Sequence, residues 1–352
     1  MASEPEIAVH GGLDPEEARA LGVAPESVLD LSVNLNPYGP CAPVLEAAQR
    51  AVLARYPDPS GRAACLAWAR SLDVAPNRLA VGPGAADLLW TLARALVRAG
   101  DRVVIAEPTF SELRLAAAQA AAHVERFLPG PDAGHRIDLG ALARAARGAQ
   151  LVYLCSPNNP TGQGFAVDEL EGLARALGAT WLVLDQSFLS LSERARDLQR
   201  RLPDNVICVR SLTKDFALPG LRLGLLIGAP EVVQRVEQAR PSWATSAPAL
   251  AAIEATAAAQ DFVAQSYRAL RVERDRMGQL LRQAGLEVSA SESVFQLVSV
   301  GAAKPFRERL LRRGVLVRDC TSFGLPAHVR VAVRSAEDTE RLRRALQELG
   351  AL

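Results

Sequence analysis

The chain has 352 residues, a formal net charge of +1 and a hydrophobic content of 49%. This length predicts a large domain with a smaller one. The near-zero net charge does not indicate the excess of positive charge that binding to nucleic acid or to a membrane surface requires. Five scattered cysteines without CxxC spacing predict reduced thiols, with neither disulfides nor a metal site. There is no apolar run long enough for a membrane span and no signal-peptide pattern at the N-terminus, so we expect a cytoplasmic protein.

Short apolar segments alternate with helical patterns through the middle of the chain. The first ends at the glycine turn 82–84 and is followed by a helical pattern from about Ala85 to Arg98. The later apolar segments, each ending near a polar residue or a proline, are 101–106, 151–155, 181–184, 206–209 and 223–227. Because these segments are apolar on both faces and helices separate them, they predict buried strands of a mostly parallel sheet between helices.

The last third of the chain has a different pattern. Residues 248–284 predict a long helical stretch, and the strand patterns beyond it alternate in polarity as half-exposed strands do. We therefore expect a smaller α+β unit at the C-terminus. The predicted division is an N-terminal arm at 1–40, a large domain at 41–245, a connecting helix at 246–284 and a small C-terminal domain at 285–352.

Lysine is rare in this chain: of 40 basic residues only Lys214 and Lys304 are lysines. Lysine can lose its proton and form a Schiff base, whereas a guanidinium stays charged. Lys304 lies in a polar segment and is interpreted as a solvated surface residue. Lys214 follows a predicted strand, with Ser211 and Thr213 before it and Arg222 eight residues later. This setting could hold a carbonyl cofactor that bears a phosphate.

Three other predicted strands also end in polar or glycine-rich residues. The turn 82–84 leads into a helix and could seat a phosphate, Asn159 lies in a stiff Pro-flanked loop, and Asp185 could pair with a pyridinium N–H. Each alone could equally be a packing turn, an Asx loop or a helix cap. A dinucleotide motif is disfavoured because GxGxxG would need glycine at Asp87. In open α/β sheets such strand ends form the ligand site.

Taken in order, these motifs resemble fold-type I enzymes that depend on pyridoxal 5′-phosphate, in the aminotransferase class I/II group, over essentially the whole chain. The resemblance implies an α/β fold, with a mostly parallel seven-stranded sheet between helices and a smaller α+β C-terminal domain. It implies that Lys214 binds the cofactor as a Schiff base. The other implied cofactor ligands are Asp185 at the ring nitrogen, Asn159 at the ring 3-oxygen, Phe110 stacked on the ring, and Ala85, Ala86, Ser211, Thr213 and Arg222 at the phosphate.

The resemblance also implies a homodimer with shared active sites, in which Tyr56 reaches the cofactor phosphate of the neighbouring subunit. Arg330, with Arg334 nearby, would bind the substrate carboxylate. Phe188 stands where aminotransferases of this group usually have a tyrosine. Loss of that hydroxyl should raise the pKa of the Schiff-base nitrogen.

The N-terminal residues narrow the resemblance further. His10-Gly11-Gly12 and the element from Asn34 to Pro40 are similar to those of threonine-phosphate decarboxylases of cobalamin biosynthesis. This implies that the chain decarboxylates a small phosphorylated amino acid, L-threonine O-3-phosphate, to (R)-1-amino-2-propanol O-2-phosphate, with His10 and Asn34 as further substrate ligands. The alternative is a pyridoxal-phosphate-dependent aminotransferase acting on a phosphorylated substrate such as histidinol phosphate, because most of the anchoring residues are shared.

Overall fold

The computed structural model describes residues 8–130, 133–199 and 202–350. Within these ranges the strands, in chain order, are β1 (Leu29–Asp30), β2 (Leu79–Pro83), β3 (Arg102–Ala106), β4 (His123–Phe127), β5 (Leu151–Cys155), β6 (Trp181–Asp185), β7 (Val206–Ser211), β8 (Leu223–Ile227), β9 (Glu287–Val288), β10 (Phe295–Ser299), β11 (Val315–Leu316), β12 (Arg318–Asp319) and β13 (His328–Ala332). The α-helices are α1 (Pro15–Ala20), α2 (Ala42–Gln49), α3 (Arg62–Leu72), α4 (Ala85–Leu96), α5 (Glu112–Gln119), α6 (Leu139–Ala145), α7 (Val167–Leu177), α8 (Leu212–Asp215), α9 (Pro230–Ala239), α10 (Ala247–Thr256), α11 (Gln260–Gln283), α12 (Ala303–Leu311) and α13 (Ala336–Glu348).

Seven strands form the central sheet, in the order β2-β8-β7-β6-β5-β3-β4. The pairs from β7 through β6, β5 and β3 to β4 are parallel, whereas β8 runs antiparallel to both β2 and β7. The carboxyl ends of β5, β6 and β7 therefore lie side by side at one edge of the sheet. Ligands bind at this edge in open α/β sheets.

Apart from its edge strand β4, the central sheet is buried on both faces, which explains why these strands are apolar at successive positions. Tyr153 and Val183 lie in the core shared with α4, α5 and α9, while Val152 and Leu182 lie in the core shared with α6 and α7. Neighbouring residues of one strand point to opposite faces, so each strand supplies side chains to both cores. A fully buried aliphatic side chain contributes about 1.5–3 kcal/mol through the hydrophobic effect.

The C-terminal strands form a second, antiparallel sheet in the order β12-β13-β10-β9. The N-terminal strand β1 pairs in parallel with β11, so residues before the central sheet lie against this C-terminal unit. Arg318 of β12 is directly opposite Arg330 of β13. The domain boundaries proposed from the sequence stay a prediction.

The stretch predicted as one connecting helix is divided into α10 and α11, with a break at residues 257–259. The carbonyl of Ile253, which would accept from residue 257 in a continued helix, instead accepts from Trp68 Nε1 at 3.1 Å and from the Thr256 hydroxyl at 2.6 Å. Because this carbonyl is occupied by side-chain donors, the regular helical hydrogen bond from residue 257 is not made, and the chain turns here. Among all the helices of the described ranges, none has the length and apolar character needed to cross a membrane.

Candidate active site

A cavity of about 430 Å³ lies at the carboxyl edge of the central sheet, between the sheet, the N-terminal segment and β12–β13. The predicted site residues that line it are His10, Asn34, Ala85, Ala86, Phe110, Asn159, Ser211, Thr213, Lys214, Arg222 and Arg330. Asp185 is buried at the end of β6, while Tyr56 and Arg334 lie outside the lining. The topology thus brings together residues that are separated by more than 300 positions in the chain.

Lys214 lies in the single turn of α8, directly after β7. Its Nζ is 4.1 Å from the centroid of the Phe188 ring and 6.0 Å from that of Phe110, so the amine lies between two aromatic residues. Burial lowers the pKa of Lys214, and the positive charge of Arg330 lowers it further, against the opposing effect of Asp185. A lower pKa makes the neutral amine more available for attack on a carbonyl carbon.

Asp185 is 2% exposed, and both of its carboxylate oxygens accept hydrogen bonds. Oδ2 accepts from the Tyr153 hydroxyl and Oδ1 from the Ser187 backbone N–H, each at 2.8 Å. Two donors compensate part of the cost of burying this charge and fix its orientation. Tyr153 was not anticipated from the sequence, although a phenol in an otherwise aliphatic buried strand indicates a buried hydrogen-bond partner.

The predicted phosphate seat lies where β2 turns into α4. Gly84 has φ +93°, and a Cβ at this position would come within 2.8 Å of Arg222 Nη2, so only glycine allows the guanidinium this close. The first N–H groups of the 12-residue α4 point out of the helix end and favour an anion. The Thr213 hydroxyl is already bonded to the backbone of Leu223, accepting from its N–H at 3.0 Å, so its contact with a phosphate stays a prediction.

Arg330 joins three segments of the chain at the cavity wall. Its side chain is buried, and it donates from Nη1 to Asn159 Oδ1 and from Nη2 to the carbonyl oxygen of Ser32, each at 2.5 Å. Burial lowers its pKa to about 10. Arg334, the other candidate for the substrate carboxylate, makes long contacts of 3.3 and 3.4 Å to the carbonyls of Asp30 and Val33. The geometry therefore favours Arg330.

Asn34 is 5% exposed, and neither of its amide atoms has a hydrogen-bond partner in the part of the chain that the structure describes. An unsatisfied buried amide costs roughly 1–3 kcal/mol. Asn34 lines the cavity, and its predicted contact with the substrate stays a prediction.

Two charged residues of the cavity lining were missed in the sequence. Arg318 is 7% exposed and donates from Nη2 to Val9 O at 2.6 Å and to Ser322 Oγ at 2.7 Å. Glu112, the first residue of α5, lies beside His10 with 2.9 Å between Oε1 and Nε2. An arginine at the start of a two-residue strand and an acidic residue in a first helical turn are both ordinary surface patterns, so neither could be recognised as a cavity residue from the sequence.

Tyr56 is 78% exposed and lies outside the cavity, with its ring centroid 4.6 Å from that of Trp243. Both aromatic side chains are exposed, and the exposed Val52 lines the same surface pocket as Tyr56. In a single chain Tyr56 does not reach the cavity. The predicted contact with a neighbouring subunit's cofactor stays a prediction.

The sheet, the strand-end lysine, the buried aspartate and the glycine-rich phosphate seat define a fold-type I enzyme that uses pyridoxal 5′-phosphate. The sequence model of the family "Aminotransferase class I and II" matches residues 26–349, and the chain belongs to this family. The predicted fold class and the predicted cofactor are both confirmed. The cavity residues fit the cofactor, because Lys214 offers an amine, Asp185 a buried carboxylate and the start of α4 a phosphate seat.

Comparison with known proteins shows which relatives are similar to this chain. The histidinol-phosphate aminotransferase of Symbiobacterium thermophilum is 36% identical over 341 residues, which covers 94% of this chain and 92% of that protein. The crystal structure of histidinol-phosphate aminotransferase from Sinorhizobium meliloti in complex with pyridoxal-5′-phosphate has a TM-score of 0.84 and 26% identity, and covers 96% of this chain and 95% of that chain.

The prediction of a threonine-phosphate decarboxylase, a lyase of cobalamin biosynthesis, is wrong. Curated relatives at 29–36% identity are histidinol-phosphate aminotransferases. The L-threonine-O-3-phosphate decarboxylase from Porphyromonas gingivalis is a structural neighbour, with a TM-score of 0.78 and 25% identity over 92% of this chain and 99% of that chain. The two elements that carried this prediction lie partly at the cavity, where His10, Gly11, Asn34 and Leu35 line it.

Proposed function

We propose that the chain is an aminotransferase that uses pyridoxal 5′-phosphate to exchange the amino group of histidinol phosphate with a 2-oxo acid. The observation that carries this proposal is a pair of buried arginines, Arg318 and Arg330, that face one another across β12 and β13 and line the cavity. In the described part of the chain, no carboxylate lies within ion-pair distance of either one. Their positive charges therefore remain available for an anionic substrate.

This charge pattern fits both partners of the proposed reaction. A phosphate ester brings a doubly charged group to the arginines, and a dicarboxylic 2-oxo acid such as 2-oxoglutarate brings two carboxylates to the same pair. The names of the curated relatives support histidinol phosphate as the amine substrate. The buried, unpartnered amide of Asn34 adds a neutral donor and acceptor to the same wall.

The cofactor, when bound, withdraws electrons from Cα of the substrate amine attached to it. Asp185 would hold the ring nitrogen in its protonated form, because a buried carboxylate favours a positive charge beside it. Asn159, fixed by Arg330, would orient the ring through its 3-oxygen. The amine of Lys214 would take the proton from Cα of the substrate and deliver it to the former carbonyl carbon of the cofactor, on the other side of the substrate nitrogen, a role suited to a buried amine with a lowered pKa.

The test is a coupled assay of the purified protein, loaded with cofactor, on histidinol phosphate and 2-oxoglutarate. We expect glutamate to form, no turnover without the 2-oxo acid, and at least a hundredfold lower kcat/KM for histidinol, which lacks the phosphate. Lys214→Ala should abolish turnover, while Lys304→Ala, which removes the other lysine, should keep it. Release of CO₂ from threonine phosphate in the absence of any 2-oxo acid would refute the proposal.

We infer in addition that two copies of the chain share their active sites. The exposed Tyr56 and Trp243 support this inference, because large exposed hydrophobic side chains in contact with one another are typical of an interface, and the exposed Val52 lines the same surface pocket as Tyr56. If Tyr56 serves the neighbouring subunit, a mixture of Lys214→Ala and Tyr56→Ala chains, refolded together, should regain activity. Each hybrid dimer would then have one intact site, and a mixture no more active than its components would contradict the shared site.

A further inference from the structure

Glu112 is the one carboxylate among the described residues that line the cavity, and its position needs an explanation. The rest of the charged lining is positive and suits anionic substrates. Glu112 is 7% exposed, so its charge is poorly screened by water. A carboxylate there repels a phosphate or a second carboxylate, at a cost that grows as the surroundings lose water.

The two oxygens of Glu112 each accept a hydrogen bond from a different part of the fold. Oε1 lies 2.9 Å from His10 Nε2, and Oε2 accepts from Trp90 Nε1 of α4. The hydrogen bond from His10 lowers the pKa of Glu112, and that from Trp90 also lowers it, against the opposing effect of burial. Glu112 is therefore ionised at neutral pH and links the N-terminal segment to the helix that carries the phosphate seat.

The N-terminal segment 9–12 contributes Val9, His10 and Gly11 to the cavity lining and makes three further contacts with the residues around it. The Gly12 N–H donates to Ser32 Oγ at 2.8 Å, and Arg318 Nη2 donates to the carbonyl of Val9 at 2.6 Å. Gly11 packs so closely on the carbonyl of Ser32 that a side chain there would collide with it. The position of the segment thus also determines where the Arg318 guanidinium lies.

We propose that Glu112 is a positioning residue: it anchors His10, and with it segment 9–12, so that the His10 imidazole and the Arg318 guanidinium meet the substrate phosphate. This inference rests on the proposed function, since it requires a phosphorylated substrate. The His10 ring lies 5.7 Å from Phe110, the residue predicted to stack on the cofactor. The anchor therefore lies beside the reacting end of the cavity.

The Glu112→Gln variant distinguishes this positioning role from simple repulsion of anions, because the two roles predict changes of opposite sign in KM for histidinol phosphate. If Glu112 only repels anions, its neutralisation lowers KM for histidinol phosphate. If it anchors His10, a glutamine weakens the anchor, because His10 and Trp90 donate to different oxygens and the glutamine places an NH2 group, itself a donor, at one of these two positions. We expect KM to rise about tenfold, the effect of weakening one charge-assisted hydrogen bond, with kcat within about twofold of wild type.

A double-mutant cycle with His10→Ala assigns the effect to the pair. Glu112→Gln should raise KM in the wild-type background but change it less than about twofold once His10 is gone. Glu107→Gln is a matched control, because Glu107 is also buried, at 5% exposure, and ion-paired with Arg114 and Arg126, yet does not line the cavity. A KM increase of the same size in Glu107→Gln, or a lower KM in Glu112→Gln, would overturn the proposal.

Hydrogen exchange provides a readout that does not depend on turnover. In the cofactor-loaded protein, amides of segment 9–12 should exchange several-fold faster in Glu112→Gln than in wild type, while α4 and α5 keep their protection. Unchanged exchange in the segment would refute the anchor. If the wild type instead fails to act on histidinol phosphate, the proposed function fails, and the exchange comparison still decides whether Glu112 holds the segment.

Discussion

Arg330→Lys is the substitution that best tests how the cavity recognises a carboxylate. It keeps the positive charge but removes the planar guanidinium group, whose N–H donors form a fixed fork that matches a carboxylate. Arg330 donates from two different nitrogens, to Asn159 Oδ1 and to Ser32 O, and the Nε atom has no partner in the described ranges. A lysine amine can replace one of these donors but cannot span both acceptors and also present two parallel N–H groups to a substrate carboxylate.

The magnitude follows from the hydrogen bonds that are lost. A hydrogen bond from a charged donor contributes about 1.5–3 kcal/mol, so the loss of one in the substrate complex lowers kcat/KM about 10- to 150-fold. The effect should fall on the 2-oxo acid, whose carboxylate the fork binds. Arg334→Lys is the matched control: its long contacts to backbone carbonyls and its position outside the cavity predict a change of less than about threefold.

The assay is steady-state kinetics of both variants with 2-oxoglutarate varied at saturating histidinol phosphate. Thermal melts of the same samples show whether either variant has lost its fold. A larger loss of kcat/KM in Arg334→Lys than in Arg330→Lys, or a kcat/KM of Arg330→Lys within about threefold of wild type, would refute this role of Arg330.

Three further predictions concern the buried groups around Lys214. Tyr153→Phe removes the hydroxyl that donates to Asp185 and should lower the free energy of unfolding by about 1–3 kcal/mol in urea titrations; a change below about 0.5 kcal/mol would contradict this. Burial raises the pKa of Asp215 from 3.8 to about 7, so the folded state binds more protons than the unfolded state between these values and stability falls as pH rises through them. The melting temperature of Asp215→Asn relative to wild type should therefore rise between pH 5 and pH 8, and a constant difference would count against the shift. Phe188→Tyr adds a hydroxyl beside Lys214 and should lower the midpoint pH of the bound cofactor's absorbance change, whereas an unmoved midpoint would show that the hydroxyl makes no such contact.

The strand-end residues could be predicted from the sequence because the fold places consecutive strand ends together. Asn159 and Lys214 follow β5 and β7, and Asp185 is the last residue of β6; these three strands are neighbours in the parallel sheet. An apolar run that ends in a polar residue is visible in the sequence. Because the carboxyl ends of neighbouring parallel strands meet at one edge of the sheet, such residues are predicted to lie close together. Their placement around the cavity is therefore a consequence of topology as much as of the motifs.

Other features had no local signal in the sequence. The edge strand β4, His123–Phe127, contains charged residues and is largely exposed, so it lacks the apolar run that marked its neighbours. The antiparallel insertion of β8 between β2 and β7 depends on long-range pairing, and an apolar run does not encode its own direction. Arg318 and Glu112 enter the cavity only because β12 and α5 are positioned there by the packing of distant segments.

The choice of reaction was the part that motifs could not decide. Decarboxylation and transamination use the same lysine, aspartate and phosphate seat, and they differ in which substituent of Cα is held perpendicular to the cofactor ring. That orientation depends on the positions of anchoring groups to within fractions of an ångström, which neither residue identity nor spacing reports. The whole-chain similarity to histidinol-phosphate aminotransferases overturned the prediction that rested on a short N-terminal element.

The scarcity of lysine also has a practical consequence for chemical modification. Lys304 is exposed on α12, whereas Lys214 lies at the cavity between two aromatic rings. Amine-reactive dyes or supports applied to the folded protein should therefore react with the Lys304 side chain, and borohydride reduction of the cofactor-loaded protein should mark Lys214. The two lysines of the wild-type sequence thus provide separate attachment points, one for a reporter and one for the cofactor.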